Sequence, residues 1–206
     1  MAVISNGTTV FDAGALGSGV PTGGLTHIKT LTATDDTATM VFTHGTSSVV
    51  FDGTYDSYIF KIHNIHPEQD GWFMNVDFSI NGSDFDLTKL SNAFRAQQTE
   101  SNSAQSLAYV TGADNANAAA VQPISFDSSN DADHAMNGEL QIWQPASTTF
   151  VKHYTSRFQA TGSSNFSADY YANGFINTTT AITTVKFLMA GADFDSGQIS
   201  LYGVKG

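Results

Sequence analysis

The strongest constraint on this chain is a two-residue alternation that runs, stops at a turn and begins again. Residues 72–80 place Trp72, Met74, Val76, Phe78 and Ile80 on one face, and Phe73, Asn75, Asp77 and Ser79 on the other. That period belongs to a β-strand with one face against a core. Asn81-Gly82 directly after it is a hairpin-type stop.

The same grammar recurs along the chain. Residues 39–43 are apolar and β-branched before the turn His44-Gly45-Thr46, and residues 48–51 form a second apolar run ended by Asp52-Gly53. Residues 58–65 set Tyr58, Phe60 and Ile62 on one face, with Pro67 and Asp70-Gly71 as the break. Residues 106–111 read as a strand. In the last third, residues 138–144 set Leu140 and Ile142 against Trp143, residues 149–160 and 168–176 are aromatic-rich strands, and residues 183–190 align Val185, Phe187 and Met189. Residues 198–204 set Ile199 and Leu201 against Tyr202. One segment departs from this: in residues 86–97, Leu87, Leu90 and Phe94 recur at offsets of three and four, the spacing of a short helix. About eight to ten strands between turn signals predict an all-β chain, a single β-sandwich or jelly roll rather than βαβ units.

Residues 1–26 differ from the rest. They carry Gly7, Gly14, Gly17, Gly19, Gly23, Gly24 and Pro21, with apolar residues that follow neither period and one short strand expected near residues 8–11. Two readings stand side by side: a loosely attached terminus, or an extended Gly-rich N-terminal arm that orders against a neighbouring subunit. The domain division is therefore an arm over 1–26 and a β-sandwich over 27–206.

Composition narrows the function. Eight Lys and Arg stand against 19 Asp and Glu, for a net charge of −11. A surface of that sign repels phosphate backbones, so no nucleic-acid partner is expected. Charged residues make up only 13% of the chain, against about 25% in an average soluble domain. Cys is absent, which removes disulfides, thiolate metal sites and a thiol nucleophile. The start MAVISNGTTVFDAG has neither a basic region nor a long apolar run, and no stretch approaches a membrane span. The expectation is a chain made in the host cytoplasm without a signal peptide and without a membrane partner.

Candidate chemistry lies in three places. His63-x-x-His66 with Glu68 and Asp70 resembles a metal cluster, so His63, His66 and Asp70 are the candidate ligands. Residues three apart on a regular strand point to opposite faces, so the rings converge only if the chain bends near residues 65–67. The alternative is one half-buried strand histidine and one loop histidine before a proline. Asp84-x-Asp86, Asp193-x-Asp195 and residues 127–133 are acidic turns that could build a surface calcium site or simply shape the turns. Trp72, Trp143, Tyr170 and Tyr171 are candidate ligand-binding residues that could stack on sugar rings; the alternative is core or subunit interface. A carboxylate pair for glycoside hydrolysis could come from distant positions, but with only Glu68, Glu100 and Glu139 the supply of glutamates is thin. Neither GxxxxGK[ST] nor GxSxG occurs. The chain is thus read as not an enzyme, with no cofactor.

Three stretches carry a family resemblance: the Ser/Asn/Gly/Thr-rich opening MAVISNGTTVFDAGAL; the strand Tyr58-Ile59-Phe60-Lys61-Ile62-His63-Asn64-Ile65, followed later by Phe78-Ser79-Ile80-Asn81-Gly82-Ser83; and the ending Ser196-Gly197-Gln198-Ile199-Ser200-Leu201-Tyr202-Gly203-Val204-Lys205. An end of the type SGxIxLYGxK resembles that of tailed-bacteriophage virion proteins of the tail-fibre, baseplate or head-decoration type, including marine and cyanobacterial phages. The resemblance implies a virion structural protein, a sandwich or jelly-roll subunit in a homo-oligomer with a trimer favoured, in contact with other virion proteins. It transfers no catalytic residue. The alternative function is a carbohydrate-binding, receptor-recognition module of a fibre or surface protein, whose partner would be a host surface glycan.

Overall fold

The computed structural model describes residues 3–5, 7–12, 15–16 and 24–205; Gly14, Gly17, Gly19, Pro21 and Gly23 lie outside them. Every regular element among these residues is a strand. In chain order they are β1 (Val3–Ser5), β2 (Thr8–Asp12), β3 (Ala15–Leu16), β4 (Leu25–Ala33), β5 (Thr39–Thr43), β6 (Ser57–Pro67), β7 (Met74–Ser79) and β8 (Lys89–Thr99). There follow β9 (Gln105–Tyr109), β10 (Ala116–Ala118), β11 (Gln122–Pro123), β12 (Met136–Trp143), β13 (Lys152–Gly162), β14 (Phe166–Ile176), β15 (Thr184–Met189) and β16 (Phe194–Val204).

Two sheets make a β-sandwich. The larger runs β10-β8-β14-β13-β12-β6-β16-β4, with β9 also paired to β8; the smaller runs β11-β7-β15-β5. Aromatic side chains join them. Phe60 of β6 meets Phe42 of β5 edge to face at 5.2 Å and Phe187 of β15 at 5.1 Å, and Phe78 of β7 lies 5.7 Å from Tyr154 of β13. Each fully buried ring contributes about 1.5–3 kcal/mol by leaving water, so a handful of such contacts outweighs any single polar interaction in the molecule. The predicted alternations survive in this core: Tyr58, Phe60 and Ile62, Leu140 and Ile142, Val185, Phe187 and Met189, and Ile199 and Leu201 are all buried.

Three local expectations change. The helical spacing of residues 86–97 is overridden: β8 is a strand, paired to β14 through every residue from Lys89↔Ile176 to Thr99↔Phe166. Backbone pairing along that whole length outweighs a helix propensity worth a few tenths of a kcal/mol per residue. The apolar run at 48–51 forms no strand; Ser47 and Ser48 take left-handed backbone angles (φ 50 and 71), while Val49 and Phe51 plug the core. In β7 the polar face is covered too. Asn75, Asp77 and Ser79 are buried, and Asp77 Oδ1 accepts a 2.8 Å hydrogen bond from the buried Lys89 ammonium.

One backbone irregularity positions the histidines. Asn64 (φ 48) interrupts β6 and Gly197 (φ 115) interrupts the facing strand β16. A Cβ at Gly197 would lie 2.6 Å from the Asn64 carbonyl oxygen, so a glycine is required on both counts. The extra residue lets Ile62 and Ile65 both enter the core, and the rings of His63 and His66 both lie outside it.

β1, β2 and β3 form a separate antiparallel three-stranded sheet. Among the described residues, no strand of the sandwich pairs with it.

Candidate functional site

The bulge at Asn64 leaves His63 and His66 both outside the core, but it does not bring the two rings together. His66 Nδ1 is 2.9 Å from Asp195 Oδ2, and its Nε2 is 3.1 Å from the Asp131 carbonyl oxygen. Asp70 Oδ1 accepts the backbone N–H of Asn130 at 2.8 Å. His66 and Asp70 thus fasten the 127–133 loop from two sides, and both ring nitrogens of His66 are engaged. His63 sits apart, opposite Gln198, in a depression shared with Glu139. A carboxylate group that the spacing did not suggest is Asp35, Asp36 and Glu68, whose oxygens lie within 4.8 Å of one another. Its Glu68 Oε1 already accepts the backbone N–H of Asp36 at 2.9 Å.

The four aromatic candidates separate completely. Tyr170 is turned into the molecule and 1% exposed, so it cannot stack on a ligand; strand alternation sends its neighbour Tyr171 outward instead. Burial holds the Tyr170 phenol well above its ordinary pKa, and its hydroxyl has no hydrogen-bond partner among the described residues. Trp72 lies over Gly191, where an added Cβ would meet its ring at 2.5 Å, and its carbonyl accepts the Ser128 hydroxyl at 2.7 Å. It is a cover for the loop end of the sandwich. Trp143 and Tyr171 both stand on the outer face of the large sheet, with Trp143 37% exposed.

That outer face is organised in cross-strand rows. One row crosses the sheet from Thr30 through Ser200, Lys61, Glu139, Arg157, Tyr171 and Phe94 to Tyr109, each residue in register with the next. Its middle is charged and saturated: Lys61 pairs with Glu139, and Arg157 makes a two-pronged contact to Asp169 at 3.1 and 2.8 Å. The Arg157 hydrogen bonds hold the Asp169 carboxyl below the ordinary range, and the Tyr171 hydroxyl donates to the same carboxylate at 3.1 Å. Its far end is aromatic, with Tyr171 and Phe94 stacked at 4.8 Å and 8°.

The next row is neutral and polar: Gln141, Thr155, Asn173 and Asn92 lie in register, and Asn173 Nδ2 donates to Asn92 Oδ1 at 3.1 Å. The row after that is apolar and aromatic. Trp143 ends β12, His153 pairs Phe175, and Phe175 pairs Leu90, with the His153 and Phe175 rings 6.0 Å apart. Between these last two rows lies a depression of about 340 Å³ lined by Trp143, His153, Phe175, Leu90, Asn173 and Asn92, among others. The sequence singles out Trp143 but not the others. They sit at alternate positions of separate strands, and only the register brings them together.

Comparison of the chain with models of known protein families, with curated proteins and with solved structures finds no match.

Proposed function

We propose that this chain is a non-enzymatic structural subunit of a phage particle, a β-sandwich that associates with copies of itself and is held to the particle through its N-terminal segment. The observation that carries the reading is the N-terminal sheet. Its strands pair only with one another among the described residues, and Val3 and Ile4 within it are 53% and 64% exposed. Strands of three, five and two residues make a sheet that is marginal in water without a covering surface. A neighbouring subunit supplies that surface.

Two further features support it. The chain passes back and forth between the sheets: β4, β6, β12 and β16 lie in the large sheet, and β5, β7, β11 and β15 in the small one. That alternation supports a jelly-roll reading, with β13 packed against the small sheet through Tyr154 and Phe78. Of the C-terminal stretch of the virion-protein resemblance, 196–205, all but Lys205 falls in β16, between β6 and β4. The charged groups of the outer face, meanwhile, are tied in ion pairs with one another, an arrangement suited to a scaffold.

Mass photometry of the full chain and of a chain lacking residues 1–23 tests this at micromolar concentration. The full chain is expected as an oligomer, with a trimer favoured, and the shortened chain as a folded monomer. A full chain that is strictly monomeric and binds no virion protein would sink the proposal.

A further inference from the structure

We infer that the depression on the outer face of the large sheet binds a neutral carbohydrate, with Trp143 as the stacking platform and the Asn92–Asn173 pair as the reader of its hydroxyls. The argument starts from the side chains that surround the space. Sugar rings present two chemistries at once: a patch of C–H bonds on one face, and hydroxyls around the edge that each donate and accept. The depression offers both in adjacent rows. Trp143, Phe175 and Leu90 form the apolar wall, and Trp143 and Leu90 are 37% and 45% exposed without a covering segment. Thr155, Asn173 and Asn92 form the polar wall one pleat away.

The amide pair is preset for this task. Asn173 Nδ2 donates to Asn92 Oδ1, which fixes both side chains relative to each other. What remains is the Asn92 amide N–H₂ as donor and Asn173 Oδ1 as acceptor, neither with another partner among the described residues. A donor and an acceptor held side by side match two neighbouring hydroxyls, one accepting and one donating. The Thr155 hydroxyl, in register with Asn173, extends the same line.

Charge decides the class of sugar. No Asp, Glu, Lys or Arg lines the depression. The chain as a whole carries −11, so acidic sugars meet a repulsive field and no lysine or arginine to offset it. The volume, about 340 Å³, is at the small end of ligand sites, which fits one or two sugar units lying along an open sheet rather than a buried molecule.

The competing occupant is a second copy of this chain seated on the same face. A glycan array of neutral and sialylated oligosaccharides, followed by calorimetric titration of the best neutral binder, separates the two. The full chain is compared with Trp143→Ala, Asn173→Ala and Trp72→Ala, each checked for its oligomeric mass and its melting midpoint. Trp143→Ala and Asn173→Ala are each expected to weaken binding about tenfold or more at unchanged oligomeric mass. Trp72→Ala, which removes an equally exposed indole elsewhere, is expected to leave affinity unchanged. The inference is overturned if no neutral oligosaccharide binds, if binding survives both substitutions in this face, or if those substitutions dissociate the oligomer. Because the assembly proposal is read from residues 1–23 and this one from β8, β12, β13 and β14, either can fail without the other.

Discussion

The two faces of the large sheet are built from similar residues and do different work. On the inner face Phe60, Tyr154 and Phe158 are fully buried, and Phe60 meets two rings of the opposing sheet edge to face. On the outer face Phe94, Tyr171, Phe175 and Trp143 line up in rows that nothing in the described chain covers. Charges differ in the same way. Asp77 and Lys89 are an ion pair out of reach of water, at 4% and 0% side-chain exposure, whereas Arg157 and Asp169 pair in the open at 62% and 32%. Similar side chains therefore carry stability on one side and stay open to solvent on the other, because burial changes what each contact is worth.

The widest separation between the faces is expected from one residue type. Phe60→Ala opens a cavity in the aromatic core and should lower unfolding free energy by about 3–5 kcal/mol. Phe94→Ala, on the outer face of β8, should cost less than about 1 kcal/mol. Denaturant titration of the two variants measures both. Comparable losses would mean that the outer face is covered in solution, and would break the contrast.

Alkaline pH probes the inner face most strongly. Burial pushes the Tyr58 phenol up to about 12 and raises Tyr154 and Tyr170 further. Above pH 10 the unfolded chain ionises these phenols while the folded chain does not, so the folded state binds more protons and stability falls as pH rises. Each such group contributes about 1.4 kcal/mol per pH unit. Lys152 works against them. It is buried, donates to the Phe150 and Thr178 carbonyls at 3.0 and 3.2 Å, and its ammonium is held below the ordinary lysine range by burial, so it adds stability as pH approaches its unfolded value. The amine opposes the phenols only below its unfolded value near 10.5; above that the three phenols act alone and give a net loss of roughly 4 kcal/mol per unit up to about pH 12. Phenolate absorbance should therefore appear together with loss of the folded circular-dichroism signal for these three, and earlier for exposed tyrosines such as Tyr109.

The smallest effect sharpens the outer side of the comparison. Arg157→Ala removes an exposed two-pronged pair and a contact over the Tyr171 ring, and should cost between about 0.2 and 1 kcal/mol, declining with added salt. Thermal unfolding at two salt concentrations checks it. A salt-independent loss of several kcal/mol would place Arg157 in a desolvated interface.

Much of this architecture was legible residue by residue. The alternations in 58–62, 140–142, 185–189 and 199–201 identified the inward side chains, because a strand has only two faces and the core accepts only one kind of residue. Legibility failed where a local pattern met a distant partner. Leu87, Leu90 and Phe94 have helical spacing, yet β14 pairs with the chain from Lys89 onward and imposes a strand on Leu90 and Phe94. Tyr170 and Tyr171 read alike as candidates for ligand, core or interface until packing shows which of the pair the core takes. His63 and His66 read as facing opposite ways until a bulge at Asn64, paired with Gly197, left both outside the core.

The candidate site shows the same division. Trp143 was visible as a candidate from its place opposite Leu140 and Ile142. Asn92 and Asn173, 81 positions apart in the chain, were not, and neither was the depression between them and Trp143. By itself the sequence determined the fold class, the sign of the charge and which side chains seek the core, since these follow from hydropathy, turn residues and composition summed locally. Only the tertiary structure decided which outward residues become neighbours. Cross-strand register is set by backbone hydrogen bonds between segments far apart in the chain, and no local pattern encodes that pairing.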